Sequence, residues 1–290
     1  MYNLQPEKVV AVVTDTTGNM GKFGKLLLDN YSTEHLYCVD HQLHRTAILS
    51  REDRNLPNGN GSMKAFRDSI QFFNSSTQGL EKLLNSMREA NLKALKLLQD
   101  NITRWWSTYR SLTRYLDDGV GDHATLLISR GELGGSCNDL SPIHKMVLKD
   151  VSFLLHPMSQ VQKLLEGDKY PTISVVPYCI KYIRKCFSKA TQPNKLFYPV
   201  QHLGKKMLED LNKRYGDGVV TYYQTVRIGR NNRYISLHPY HIFASFLDPR
   251  FRNTDCVNEN EVEKVWGDLK EYILSLFEDG NQQEIHANEA

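Results

Sequence analysis

The chain has 290 residues, of which 40% are hydrophobic and 24% are charged, and its formal net charge is +3. This composition is typical of a folded globular protein, and it excludes a chain that is disordered throughout, a collagen-like repeat and a disulfide-dense miniprotein. No apolar run approaches the roughly 20 residues that a membrane-spanning helix needs, so we expect no membrane partner. The N-terminal residues show no secretory pattern, and the five scattered cysteines favour a reducing compartment.

The charge is distributed unevenly along the chain. Residues 181–252 contain 14 Lys and Arg against 4 Asp and Glu, whereas residues 253–290 contain 2 against 10. A basic segment followed by an acidic one suggests a polyanionic partner. A solvated basic face beside a disordered acidic end would give the same composition.

The first forty residues have the pattern of a βαβ unit. Val9–Val13 is a continuous apolar run typical of a strand buried on both faces, and His35–Val39 reads as a second strand. A polar turn and an apolar helix pattern ending near Asn30 lie between them. Because two parallel strands need further cover, we expect this unit to be a fragment of a larger α/β domain.

The later segments are predicted to be mostly helical. Apolar spacings of three and four predict helices at 63–78, 80–100, 105–116, 173–187, 193–215, 239–247 and 261–277, and a helix pair within 141–166. The glycine-rich segment 117–138 is the predicted linker. Strand patterns at 219–226 and 233–237 flank Gly229-Arg230-Asn231-Asn232, which predicts a β-hairpin with a positively charged tip.

Polar side chains follow both predicted strands of the βαβ unit, where ligand sites of parallel sheets lie. Asp15 suits a carboxylate held for a divalent cation, although a helix N-cap is the simpler interpretation. Cys38, His41 and His44 offer three zinc ligands within seven residues, whereas a structural zinc site needs four. The alternative is a core cysteine and a histidine that starts a helix.

The segment Thr103–Tyr109 combines two tryptophans with an arginine. Arg104 and Trp105 are residue types with which nucleic-acid sites hold phosphate and stack an unpaired base. Core packing of a helical tryptophan is the alternative.

Five segments together resemble the hAT superfamily of DNA transposases, in the family's order and approximate spacing over residues 9–252. The matching segments are Val12–Met20, Tyr37–Leu43, Thr103–Tyr109, Tyr170–Ser174 and Ala244–Phe251. The resemblance implies an RNase H-like catalytic domain interrupted by a large helical insertion. The fold class is therefore expected to be α/β plus α, with a partial RNase H-like βαβ core followed by a mostly helical insertion domain.

The resemblance also implies roles for individual residues. Such domains hold two Mg²⁺ or Mn²⁺ ions on an Asp–Asp–Glu trio for attack on phosphodiesters. Asp15 matches the second acid and is the implied metal ligand. Cys38 and His41 match a C-x-x-H element near the active site. Arg104 and Trp105 match an Arg-Trp element associated with flipped or hairpinned flanking DNA.

Several features depart from the family pattern. The first acid is expected on a strand before residue 1, and Asn258–Trp266 does not align with the helix that carries the closing Glu. Trp106 replaces a small polar residue, and His44-Arg45 replaces Asn-Leu. Neither a dimerisation segment nor a BED-type zinc finger is recognisable, although the family implies a homo-oligomer. One of three acids is therefore matched.

These observations predict four regions: a partial catalytic core at 1–116, a linker at 117–140, a helical insertion at 141–252 with a hairpin at 219–237, and an acidic helix and tail at 253–290. We expect a nuclear, transposase-derived protein that is catalytically incomplete and binds DNA. The candidate DNA contacts are Arg104, Trp105, Cys38, His41, Arg227, Arg230 and Arg233. Two alternatives are a truncated gene model of an active cut-and-paste transposase and a protein-interaction scaffold without DNA affinity.

Overall fold

A computed structural model describes residues 9–15, 17–52, 61–101, 105–133, 140–167, 169–216, 225–228, 231–234, 237–251, 257 and 259–288. The described chain is mostly helical and contains one small parallel sheet, as the predicted combination of α/β and α structure requires. Within the described residues, none of the helices combines the length and the apolar character that crossing a bilayer requires.

The predicted βαβ unit is confirmed. Strand β1 (Ala11–Thr14) pairs in parallel with β2 (Glu34–Tyr37), and helix α1 (Gly18–Tyr31) connects them. Helix α2 (Val39–Glu52) begins two residues after β2 ends. The β-branched run before Asp15 therefore becomes a strand, and the glycine-containing segment after it becomes the start of a helix.

The expectation that β1 is buried on both faces is wrong. The side chains of Val10 and Val13 are 47% and 59% exposed, whereas Leu36 on β2 is 2% exposed. Among the described residues β1 pairs only with β2, so the face that carries Val13 is only partly covered. An apolar run can therefore predict a strand correctly without showing that other elements cover both of its faces.

The predicted helix at 80–100 is about ten residues too long. Helix α3 (Gly61–Ser75) and α4 (Thr77–Glu89) meet at Ser76, whose hydroxyl accepts a hydrogen bond from the Gly79 amide at 3.0 Å. Asn91 has φ = 56°, in the left-handed region that asparagine tolerates better than most residues. The amides of Asn91 and Leu92 donate to carbonyls of the last turn of α4, a Schellman motif that ends the helix.

An irregular segment, Leu92–Asp100, follows α4 and is held by side chains from α3 and α5 (Trp105–Leu116). Its backbone carbonyls accept hydrogen bonds from the side chains of Asn74, Ser111 and Arg114. The carboxylate of Asp100 is almost buried and accepts from Arg67 at 2.9 Å and Thr108 at 3.1 Å.

The predicted linker contains helix α6 (Val120–Ser129), whose Val120, Ala124 and Leu127 are buried. Glycine therefore marks the ends of this helix: Gly119 and Gly131 both have positive φ. The predicted helix pair at 141–166 is one helix, α7 (Pro142–Leu165), with Pro157 inside it.

The remaining predicted elements are present with shifted ends. A 3₁₀ turn (Ile173–Val175) precedes α8 (Val176–Ala190), and α9 (Tyr198–Tyr215) starts five residues later than predicted. Strands β3 (Thr225–Ile228) and β4 (Asn231–Tyr234) form the antiparallel hairpin. Helix α10 (Pro239–Leu247) matches its prediction. A 3₁₀ turn (Pro249–Phe251) and α11 (Glu259–Asn288) complete the described chain.

The chain divides into two compact units. One comprises residues 1–163 and 183–210, and the other comprises residues 164–182 and 211–290. The first unit contains the parallel sheet and a core that includes Phe66, Phe73 and Leu112; the second has a core that includes Ile242, Val265 and Leu269. These divisions differ from the predicted bounds at 116, 140 and 252.

Candidate functional site

The structure places Asp15, Cys38 and His41 at the carboxyl edge of the parallel sheet. Asp15 directly follows β1 and Cys38 directly follows β2, and the Cys38 amide donates to the Thr14 carbonyl at 2.6 Å. Cys38 also accepts a hydrogen bond from the Gln42 amide at 3.1 Å, so it begins α2 and places His41 in the first turn of that helix. The sequence-based expectation of an edge shared by these three residues is met.

The carboxylate of Asp15 is exposed and shapes the turn that leads into α1. Its Oδ1 atom accepts hydrogen bonds from the Thr17 hydroxyl at 2.8 Å and the Thr17 amide at 3.1 Å. The N-cap of α1 is Thr17, so Asp15 supports the residue before the helix rather than capping the helix itself. The Thr17 hydroxyl, then its amide and then the charge of His41 lower the pKa of Asp15, so the side chain is an anion at neutral pH.

The sheet behind this edge is closely packed against α1. The Thr14 hydroxyl and His35 Nε2 are 2.6 Å apart, and burial lowers the pKa of His35, which favours the neutral imidazole. Gly24 of α1 lies directly over that ring: a Cβ atom at this position would be 2.1 Å from His35 Nδ1. The absence of a side chain at Gly24 therefore permits this contact between helix and strand.

The residues at the sheet edge do not by themselves fit a two-ion site. Mg²⁺ and Mn²⁺ prefer several oxygen ligands, and of Asp15, Cys38 and His41 only Asp15 supplies a carboxylate, one of whose oxygens already accepts two hydrogen bonds. The rings of His41 and His44 are 5.9 Å apart between centroids. Among the described residues, no three His, Cys, Asp or Glu side chains are grouped as metal ligands would be. We therefore assign no catalytic step to this edge.

Most of the predicted DNA contacts fall on parts of the molecule that are only partly described. Arg104 and Arg230 lie outside the described residues, and Trp105 begins α5 without a described side chain. Arg227 and Arg233 lie on β3 and β4, where the backbone register pairs them with Asn232 and Val226. Their roles in DNA binding stay predictions.

Two pairs of the segments that resemble the transposase family lie against each other. The segments Val12–Met20 and Tyr37–Leu43 meet through the parallel strands. The segments Tyr170–Ser174 and Ala244–Phe251 meet in the second unit, where the Ser174 hydroxyl donates to Asp248 at 2.7 Å and the Ser245 hydroxyl donates to the Ser174 carbonyl at 2.6 Å. Residues more than 70 positions apart in the chain thus form one hydrogen-bonded cluster.

The basic segment 181–252 overlaps a stretch of the sequence that contains no carboxylate. Residues 169–208 contain eight Lys and Arg and no Asp or Glu. Lys185, Lys189, Lys195 and Lys205 are all exposed, and within the described residues none of these four takes part in an ion pair. In the sequence this stretch is visible as the forty-residue interval between Asp168 and Glu209.

Comparison of the chain with protein-family models gives no match, and comparison with curated proteins gives none either.

Proposed function

We propose that this protein is a catalytically incomplete, transposase-derived protein that binds DNA in the nucleus. The observation that carries the DNA-binding part is the forty-residue stretch at 169–208, which has eight basic residues and no carboxylate. Lys185, Lys189, Lys195 and Lys205 are exposed and take part in no ion pair within the described residues, so they are available to attract a polyanion. Phosphates of a DNA backbone supply such an anion at regular spacing.

The transposase origin rests on the arrangement of the resembling segments. The parallel pairing of β1 with β2 through α1 is compatible with part of an RNase H-like core, and Asp15 follows β1 as the second acid of that family would. The contact between the Ser174 and Asp248 segments supports the resemblance further, because it joins two motifs that were matched independently in sequence. The catalytically incomplete part of the proposal rests on the sheet edge, where Asp15 is the one residue that matches an acid of the family trio.

Binding to duplex DNA is tested by fluorescence anisotropy with a short labelled duplex at several salt concentrations. We expect binding at low salt and a loss of about 100-fold in affinity between about 50 mM and 200 mM salt, as a protein with about four phosphate contacts shows. Replacing Lys185, Lys189 and Lys205 with Gln should reduce the slope of log K against log salt by about 0.9 for each lysine that contacts a phosphate.

A matched control replaces three exposed lysines outside the stretch, Lys22, Lys25 and Lys64, with Gln. Both triple variants change the net charge equally, so the control variant should keep the slope of the unmodified protein. Absence of binding at low salt, or equal slopes for the two variants, would contradict the proposal.

A further inference from the structure

The junction between α8 and α9 carries an exposed tyrosine among lysines. Tyr198, the first residue of α9, is 76% exposed, more than any other large apolar or aromatic side chain among the described residues. Lys189 in the last turn of α8 and Lys195 in the connection are also exposed. We name Lys189, Lys195 and Tyr198 the corner site.

The backbone that carries the corner site is firmly held. The side-chain amide of Gln201 donates to the carbonyls of Thr191 and Gln192 at 2.9 Å and 2.7 Å, which ties the first turn of α9 to the end of α8. A Cβ atom at Gly204 would lie 3.0 Å from Thr191 Cγ2, so the two segments are as close as their atoms allow. The backbone that carries the three side chains is therefore held in place, and a held backbone loses less entropy when a ligand binds than a mobile one does.

One carboxylate, from the neighbouring helix α7, is hydrogen-bonded to the backbone of this corner. Asp150 of α7 is half-buried and accepts a hydrogen bond from the Phe197 amide at 2.7 Å, directly before Tyr198. This contact satisfies the N-terminal end of α9 from within the fold. The segment 169–208 itself contains no Asp or Glu, and within the described residues neither Lys189 nor Lys195 takes part in an ion pair.

We propose that the corner site binds an unpaired nucleotide of DNA, with the base stacked on the Tyr198 ring and the adjacent phosphates held by Lys189 and Lys195. This inference rests on the proposed DNA binding and adds a preference for unpaired strands. A ring exposed to water offers a face for stacking, and only a base that has left the duplex stack offers its own face in return. Lys189 and Lys195, which both precede the tyrosine in the chain, supply the charge that tracks the backbone.

The test compares a labelled single-stranded oligonucleotide with a duplex of the same sequence, using the full chain. Tyr198→Ala should weaken single-strand binding about 5- to 100-fold, as the loss of one stacked base does, and should change duplex binding less than about twofold. Tyr198→Phe keeps the ring and should retain single-strand affinity. Circular dichroism confirms folding, which the exposure of Tyr198 leads us to expect for both variants.

The control is Tyr31→Ala, which removes another exposed tyrosine at the end of α1 and should leave both affinities unchanged. The corner site would be overturned if Tyr198→Ala left single-strand binding unchanged, or if it weakened binding to both substrates equally. In either case, salt-dependent binding to duplex DNA would still support the proposed function. Absence of binding to either substrate would overturn the proposed function itself.

Discussion

At the scale of single residues, the packing of α1 on the parallel sheet depends on Gly24. The His35 ring below it cannot easily move away, because its Nε2 atom is 2.6 Å from the Thr14 hydroxyl. A methyl group at Gly24 would therefore force either the ring or the helix to shift. Gly18 lies in the same helix, where a Cβ atom would meet nothing within 4 Å.

We predict that Gly24→Ala lowers the free energy of unfolding by about 1–3 kcal/mol, the usual cost of overpacking. The measurement is thermal or denaturant unfolding followed by circular dichroism. Gly18→Ala is the matched control and should stay within about 0.5 kcal/mol of the unmodified protein. Equal stability of the two variants would show that α1 does not rest on His35 as described.

The sequence predicts the position of Asp15, Cys38 and His41 better than it predicts their local contacts. Their place at one edge follows from strand order alone, because carboxyl ends of parallel strands meet at the same edge. The hydrogen-bond partner of Asp15 does not follow from the sequence in this way. The sequence suggests that the carboxylate caps a helix or binds a metal ion, whereas in the structure it accepts hydrogen bonds from Thr17, two residues later. Such a choice depends on turn geometry that spacing does not determine.

At the scale of elements, the 3₁₀ turn before α8 and the end of α10 are joined by a charged cluster. Asp248 accepts hydrogen bonds from the Arg250 guanidinium, from the Arg250 amide and from the Ser174 hydroxyl. The Arg250 and Ser174 side chains together hold the pKa of Asp248 far below its usual range. The ionised carboxylate is therefore favoured in the folded protein.

This shift gives the cluster a predictable pH dependence. Because the pKa of Asp248 is lower in the folded than in the unfolded chain, the carboxylate stabilises the fold above its unfolded pKa of about 3.9, and its contribution is lost as the pH falls further. We predict that Asp248→Asn lowers the melting temperature at pH 7 and that the difference from the unmodified protein shrinks toward pH 2.

Thermal unfolding at several pH values measures this difference. Ser174→Ala removes one hydrogen bond and leaves the Arg250 pair, so its effect at pH 7 should be smaller than that of Asp248→Asn. A difference between Asp248→Asn and the unmodified protein that does not change with pH would contradict an ionised role for Asp248.

Helix ends show where element prediction from sequence fails. Apolar spacing continues from α4 through Leu92 and Leu95, so periodicity alone extends the helix to residue 100. The left-handed conformation of Asn91 ends it at Glu89. In segment 117–138 the error is the opposite one, because no helix is predicted where one exists. The glycine content suggests a linker, whereas Gly119 and Gly131 lie at the two ends of helix α6.

At the scale of the whole molecule, the net charge of +3 conceals opposite charges in different segments. The residues of α11 include Glu263 and Glu271, which are exposed and repel an approaching polyanion. Replacing both with Gln adds two positive charges to the total without removing a described contact. The summed field of all charges steers an approaching DNA molecule, so removing two negative charges strengthens the long-range attraction.

We predict that Glu263→Gln/Glu271→Gln increases the association rate with duplex DNA about two- to fivefold at low salt, as modest strengthening of electrostatic steering does. The gain should disappear near 1 M salt, where the screening length falls to about 3 Å. Stopped-flow fluorescence measures the rate. A gain that persists at high salt would indicate a local effect rather than a change in net charge.

The irregular segment Leu92–Asp100 has a consequence for how this chain tolerates mutation. Its backbone carbonyls accept hydrogen bonds from the side chains of Asn74, Ser111 and Arg114. Residues of the two neighbouring helices α3 and α5 therefore help to determine its backbone path. The exposed positions Lys93, Lys96 and Gln99 should therefore accept many replacements. In a comparison of related chains, we expect these three exposed positions to vary while Asn74 and Ser111 stay fixed, together with two residues of the segment itself, the buried Leu97 and the almost buried Asp100.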